Sequence, residues 1–148
     1  MTPMQRMVFL LGIATVLAVP ASAQELLLEE EAIDYRQHVM RTMSNQVSII
    51  GMILEQRAPA DDFAKHVEVL ALAASTARWG FAFEVPGGDA KPEVWSNWSD
   101  FAERMDALAE ATAEMAKLAK EGGVEAVAPR LQETLTCRSC HNDYRDSQ

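Results

Sequence analysis

Residues Pro92 to Gly123 read PEVWSNWSDFAERMDALAEATAEMAKLAKEGG, and this stretch decides the fold class. Trp95, Trp98, Ala102, Met105, Ala109, Thr112, Ala116 and Ala119 recur in steps of three and four, the spacing of one helix face. Pro92 suits a first helical position, where its missing N–H costs nothing, and Gly122-Gly123 marks an end. Thr112 is the one polar member, and its hydroxyl can bond back to a carbonyl of the preceding turn. The second half of this seam is Ala and Thr. Such a seam fills a core only if the helices approach closely there or a bulky non-protein group takes part of the interior.

The same period extends to both sides. A first helix is expected from about Glu29 to Gln56, stopping before Ala58-Pro59, with Ile33, Arg36, Met40, Met43, Val47, Ile50 and Leu54 on its seam. A second starts after Asp61-Asp62, which can cap it, and carries Phe63, Val67, Leu70, Ala74 and Ala77 to about Trp79. Pro86-Gly87-Gly88-Asp89 makes the turn into the third. A fourth starts near Pro129 and holds Leu131, Thr134, Cys137, Cys140, His141 and Tyr144. There is no β-alternation, internal repeat or low-complexity tract. Four amphipathic helices with short links predict an all-α antiparallel four-helix bundle.

The chain of 148 residues is long enough for one such domain and too short for two of ordinary size. Residues 1–23 stand apart from it. One basic residue, Arg6, precedes the apolar run MVFLLGIATVLAVP and the small-residue end Ala21-Ser22-Ala23, the layout of a secretory signal peptide. The apolar run is shorter than the ~20 residues a membrane span needs. The mature domain is therefore 24–148, exported to the periplasm, with no later segment apolar enough to cross a membrane. Its 12 Lys and Arg against 22 Asp and Glu leave a formal charge of −10, which argues against nucleic acid as a partner.

Cys137-Arg138-Ser139-Cys140-His141 is a C-x-x-C-H run, the signature of c-type haem attachment. On a helix, positions i, i+3 and i+4 share a face. Both thiols can add to the two vinyl groups on one edge of a porphyrin, and the imidazole then meets the iron from the same side. The rivals fit less well. A thioredoxin-like redox pair wants a strand before it and a helix after it, whereas this run is expected near the C-terminus of a helix. A zinc site needs a fourth ligand, and His38 and His66 are the only other histidines. The expected cofactor is one covalently attached haem c, with its iron held by His141.

Three segments carry a family resemblance: Tyr35-Arg36-Gln37, Gly87-Gly88-Asp89-Ala90-Lys91-Pro92-Glu93-Val94-Trp95, and the C-x-x-C-H run continued by Asn142-Asp143-Tyr144-Arg145. With the motif at the end of the chain, the mature domain resembles the cytochrome c′ family, the class II c-type cytochromes. One departure is Arg138, where the family usually has Lys. The resemblance implies that the first helix faces the far side of the haem, that Arg36 and Gln37 lie near the propionates, and that Arg145 lies near the proximal imidazole. It also implies that Met40 occupies the distal position over the iron. A charge at Arg36 is unusual on a seam, because a buried arginine is costly unless paired, and no acid lies obviously opposite it.

Two functions follow from Met40, one turn after Arg36. With its sulfur on the iron, Met/His ligation raises the potential and suits electron transfer to a soluble redox partner; this is the favoured expectation. With Met40 only packed against the haem, the five-coordinate iron binds a small diatomic gas, nitric oxide or carbon monoxide. Neither is an enzyme reading: the sequence has no Ser/His/Asp spacing, no facing acid pair and no phosphate loop. Val39, Ile49 and Ile53 lie off the main seam, and the family often pairs through its first two helices, so a homodimer is a further expectation.

Overall fold

The computed structural model describes residues 21–146, and side chains for 28–131 and 133–146. Most of the expected leader, 1–20, lies outside the described residues. Six α-helices follow in order: α1 Ala21–Leu54, α2 Phe63–Ala77, α3 Glu93–Ser96, α4 Trp98–Val127, α5 Leu131–Thr134 and α6 Cys137–Tyr144. They form a four-helix bundle whose fourth position is held by the broken arm α5–α6. No helix among the described residues is long and apolar enough to cross a membrane.

The seam of α1 is buried at Arg36, Met43 and Ile50, as its period requires, while Met40, Val47 and Leu54 form a half-buried flank. Ile53, expected off the seam, is instead in the core, because α1 turns its 43–50–53 edge into α2. Val39 and Ile49 also pack partly against the core, which weakens the sequence argument for pairing through them. The helix ends in a Schellman motif. Gln56 N–H donates to Ile53 O at 2.9 Å and Arg57 N–H to Met52 O at 2.8 Å, with Gln56 left-handed at φ 57°. Glycine is the residue suited to that conformation.

Helices α2 and α4 make the tightest pair. Phe63, Val67, Leu70, Ala74 and Ala77 are buried against Phe101, Met105, Thr112, Met115, Ala116 and Ala119. The small half of the α4 seam thus works by close helix approach, since alanine against alanine lets two backbones come together. Thr112 donates to Leu108 O at 2.8 Å and Ala109 O at 3.1 Å, as its position predicted. Asp62 precedes α2 but makes no side-chain cap. Its carboxylate accepts from Lys65 Nζ at 2.6 Å instead, and that bond holds its pKa below the usual carboxylate range.

Two breaks were not legible beforehand. The helix expected from Pro92 is interrupted at Asn97, which leaves the helical region at φ −121°, ψ 43°. Its side-chain amide is drawn to the Tyr144 hydroxyl at 2.9 Å. The last helix breaks at Leu135 (φ −91°, ψ 62°), so Cys137 opens α6 rather than lying near the end of a long helix. Leu135 leaves the helix to pack on the core.

One polar cluster fixes α6 to α4. Tyr144 is buried edge-on to Phe101 at 5.1 Å between centroids. Its hydroxyl donates a short hydrogen bond to Asp100 and accepts the Asn97 amide. Arg104 covers the ring at 5.4 Å and pairs with Asp100 and Asp143, each at 2.8 Å. A second set comes from the loop before α3. Lys91 N–H donates to Tyr144 O at 3.0 Å, Lys91 Nζ to Asn142 O at 2.9 Å, and Asp146 N–H to Asp89 O at 2.9 Å. Arg145 pairs with Asp89 at 2.9 Å.

Two measurements check these readings. Gln56→Gly removes a left-handed L-residue, so it is expected to raise stability by about 0.5–1 kcal/mol, roughly 2–4 °C in Tm. Tyr144→Phe keeps the ring contacts but strands Asn97 and loosens Asp100, at a cost of about 1–3 kcal/mol. Burial, then Asp100, pushes the Tyr144 hydroxyl up to about 12. Between pH 10 and 12 the folded chain therefore keeps a proton that the unfolded chain loses, and wild-type stability falls with rising pH. The Tm gap between wild type and Tyr144→Phe is expected to narrow from pH 8 to pH 11.

Candidate haem site

Cys137, Cys140, His141 and Tyr144 fall at i, i+3, i+4 and i+7 of α6, on one stripe of the helix. Tyr144 is buried, so the stripe points into the bundle. Yet Cys137 and His141 on that stripe are exposed and Cys140 is half-buried against the core. An inward stripe with two thiols and an imidazole still accessible is what a porphyrin edge requires.

Burial shifts both the Cys140 thiol and the His141 imidazole. Desolvation, with opposing contributions from Arg104 and its carboxylates, pushes the Cys140 thiol up, leaving it protonated and uncharged. Chain atoms crowding the His141 ring, then the charge of Arg145, hold its imidazole below the ordinary value despite the exposure of the residue as a whole. A neutral imidazole keeps the lone pair an iron ligand needs. No cluster of three or more His, Cys, Asp or Glu capable of holding a metal occurs among the described residues, so no fourth ligand joins Cys137, Cys140 and His141 there to make a zinc site. The redox-pair alternative lacks its strand, since the described residues contain only isolated bridges.

Helix α1 packs on α2 and on the turn at 78–81, and barely meets α4 or α6. Met40 lies on the half-buried flank of α1 with Val47 and Leu54. Met43, expected to be plain core, is buried. His38 is exposed, and His66 pairs through Nδ1 with Gln46 Oε1 at 2.9 Å; neither belongs to the site.

Arg36 has found partners within the chain. Only 4% exposed, its guanidinium donates to Val85 O at 2.9 Å and Gly87 O at 3.2 Å. It lies over the rings of Phe81 at 5.4 Å and Trp95 at 5.5 Å. Burial lowers its pKa, although a guanidinium stays charged at any ordinary pH. Gln37 sits beside it. Its Oε1 accepts from Arg41 at 3.1 Å, and a Cβ on Gly88 would come within 3.3 Å of its Nε2. Gly87 (φ 123°) and Gly88 (φ 60°) are needed twice over, since a Cβ on either would also meet Ile33, at 2.9 and 3.2 Å.

Sequence reasoning missed Asp100, Arg104, Asn97, Asp89 and Lys91 as the residues that hold α6. Asp89 and Lys91 stood within a segment that carried the family resemblance, but nothing in their spacing connects them to a helix more than 50 positions away. Asp100 and Arg104 could have been read as an i,i+4 pair, though not as the seat of Tyr144.

Comparison with known proteins agrees with this geometry. The family model for cytochrome C′ matches residues 31–145. Cytochrome c′ of Alcaligenes xylosoxydans xylosoxydans is 26% identical over 119 residues, covering 78% of this chain and 94% of the relative. Cytochrome c-554 of Cereibacter sphaeroides is 27% identical over 139 residues, covering 88% and 91%. Among solved structures, the nitric oxide complex of a single-residue variant of cytochrome c prime from Alcaligenes xylosoxidans is similar. It has a TM-score of 0.74 and 25% identity, and covers 81% of this chain and 97% of that one. The structure of the ferric protein has the same values. With the match running from α1 to the end of α6, the chain belongs to the cytochrome c′ family, and its cofactor is covalently attached haem c.

Proposed function

We propose that the protein is an exported haem c protein that binds nitric oxide or carbon monoxide on the haem face opposite His141, without catalysing a reaction. The likeness to a nitric oxide complex over 97% of that chain's length supports this reading. The sequence alone favoured electron transfer, which the similar proteins do not contradict. In this reading Cys137 and Cys140 hold the porphyrin by thioether bonds, His141 ligates the iron, and Met40 with its flank neighbours Val47 and Leu54 covers the other face. When bound, haem supplies a redox-active iron with one coordination position on each face. The layout of residues 1–23 as a secretory leader supports export to the periplasm, where covalent attachment keeps a cofactor that could not be recovered once lost.

The second reading is electron transfer with Met40 as the sixth ligand. It is favoured by the placement of Met40 on the half-buried flank of α1, outside the fully buried core, where an unbranched thioether has room to change rotamer. Similarity to a cytochrome c-554 over 88% of this chain is compatible with it. A homodimer remains a proposal on the family's habit alone, and sedimentation at micromolar concentration tests it.

Two experiments follow. Cys137→Ala with Cys140→Ala is expected to abolish haem that runs with the denatured polypeptide on a gel, and to leave a poorly packed bundle; haem that persists on the band would remove these thiols from the assignment. Met40→Leu roughly conserves volume, with little loss of fold expected. On the gas-binding reading the reduced wild type shows broad high-spin bands, and Met40→Leu changes them slightly. Sharp, split low-spin bands in the wild type, with carbon monoxide binding at least about tenfold faster in the variant, would establish the second reading instead.

A further inference from the structure

The two sides of the haem site belong to helices that hardly touch. Helix α1 carries Met40 and α6 carries His141, and direct packing between them is close to nil. Part of their separation is set through the core, since α1 packs on α2, α2 on α4, and Tyr144 seats α6 against α4. A second continuous set of contacts runs from one to the other. It starts at Arg36, one turn before Met40, whose guanidinium binds the carbonyls of Val85 and Gly87. Ile33 on the same helix abuts Gly87 and Gly88. The loop then continues through Asp89, Ala90 and Lys91, which hold Asn142, Tyr144, Arg145 and Asp146 by backbone and side-chain bonds. No part of this path uses the packed α2–α4 core.

Arg36 suits that task better than a shorter cation would. Its planar fork reaches two carbonyls at once, and its faces lie against Phe81 and Trp95, where a lysine would offer a single point charge. Trp95 is itself held by its Nε1, which donates to Phe81 O at 3.0 Å and Phe83 O at 3.1 Å. The guanidinium is thus built into the loop.

We propose that Arg36 is a positioning residue, tying α1 to the 85–91 loop and through that loop to α6, so that it helps set the spacing between the Met40 and His141 sides of the site. This differs from a role at the haem propionates, which the family resemblance implies. It rests on the reading that Met40 and His141 face the two sides of the haem.

The test uses the holoprotein and three variants, Arg36→Met, Arg36→Lys and Lys91→Met, the last breaking the strut at its far end. Hydrogen exchange is read at the amides of Lys91 and Asp146, which bond α6 and Asp89 respectively. Carbon monoxide association with the reduced protein is read alongside. Arg36→Met is expected to speed exchange at both amides at least tenfold, with Arg36→Lys in between. Arg36→Met and Lys91→Met are expected to shift the association rate in the same direction by threefold or more, and the double variant no further than the larger single change. Exchange within twofold of wild type in Arg36→Met would overturn the proposal, as would independent, additive effects on the gas rate. If the wild type binds no carbon monoxide, the gas-binding reading fails, while the exchange measurement still decides the role of Arg36.

Discussion

An eight-residue helix does not hold its shape alone, because two turns yield too few hydrogen bonds to offset the cost of nucleating them. Helix α6 nevertheless carries both thiols and the imidazole, and their usefulness depends on a fixed helical spacing. Burial of Tyr144 resolves this. The side chain sits on the same stripe as Cys137, Cys140 and His141, so seating it against α4 fixes the rotation of the helix that carries the other three. Asp100, Asn97 and Arg104 satisfy its hydroxyl and cover its ring. Because the hydroxyl is buried it must be paired, and the break at Asn97 is the adjustment of α4 that supplies one of those partners.

The bundle is packed unevenly, and the unevenness follows from side-chain size. Alanine and threonine on α4 let α2 approach closely, so the two helices make a tight core. Helix α1 packs on only one side of that pair. Its other edge, Met40, Val47 and Leu54, is apolar and half-covered, on the side where the arm α5–α6 makes little contact with it.

A buried arginine raises the same accounting problem in sequence and in structure: a charge removed from water needs partners. The answer here is two backbone carbonyls and two aromatic faces. These are partners that no charge count could reveal, since carbonyls have no side-chain signature and Phe81 and Trp95 read as ordinary apolar residues. The glycines at 87 and 88 make the arrangement possible by allowing the loop to pass Ile33 and Gln37 without a Cβ in the way.

The sequence by itself determined the helical class, most of the buried face of each long helix and the C-x-x-C-H spacing of Cys137, Cys140 and His141. Each of these is local: a period of three and four, a proline or glycine at an end, a spacing within five residues. Tertiary structure alone decided the breaks at Asn97 and Leu135, the seat of Tyr144, and the partners of Arg36. The seats of Tyr144 and Arg36 depend on hydrogen bonds between residues 44 to 51 positions apart, where the chain's path, and not its spacing, brings donor to acceptor. The fate of the small α4 seam was open for the same reason. Alanines permit either a close approach or an inserted group, and only the position of α2 shows that here they serve the approach.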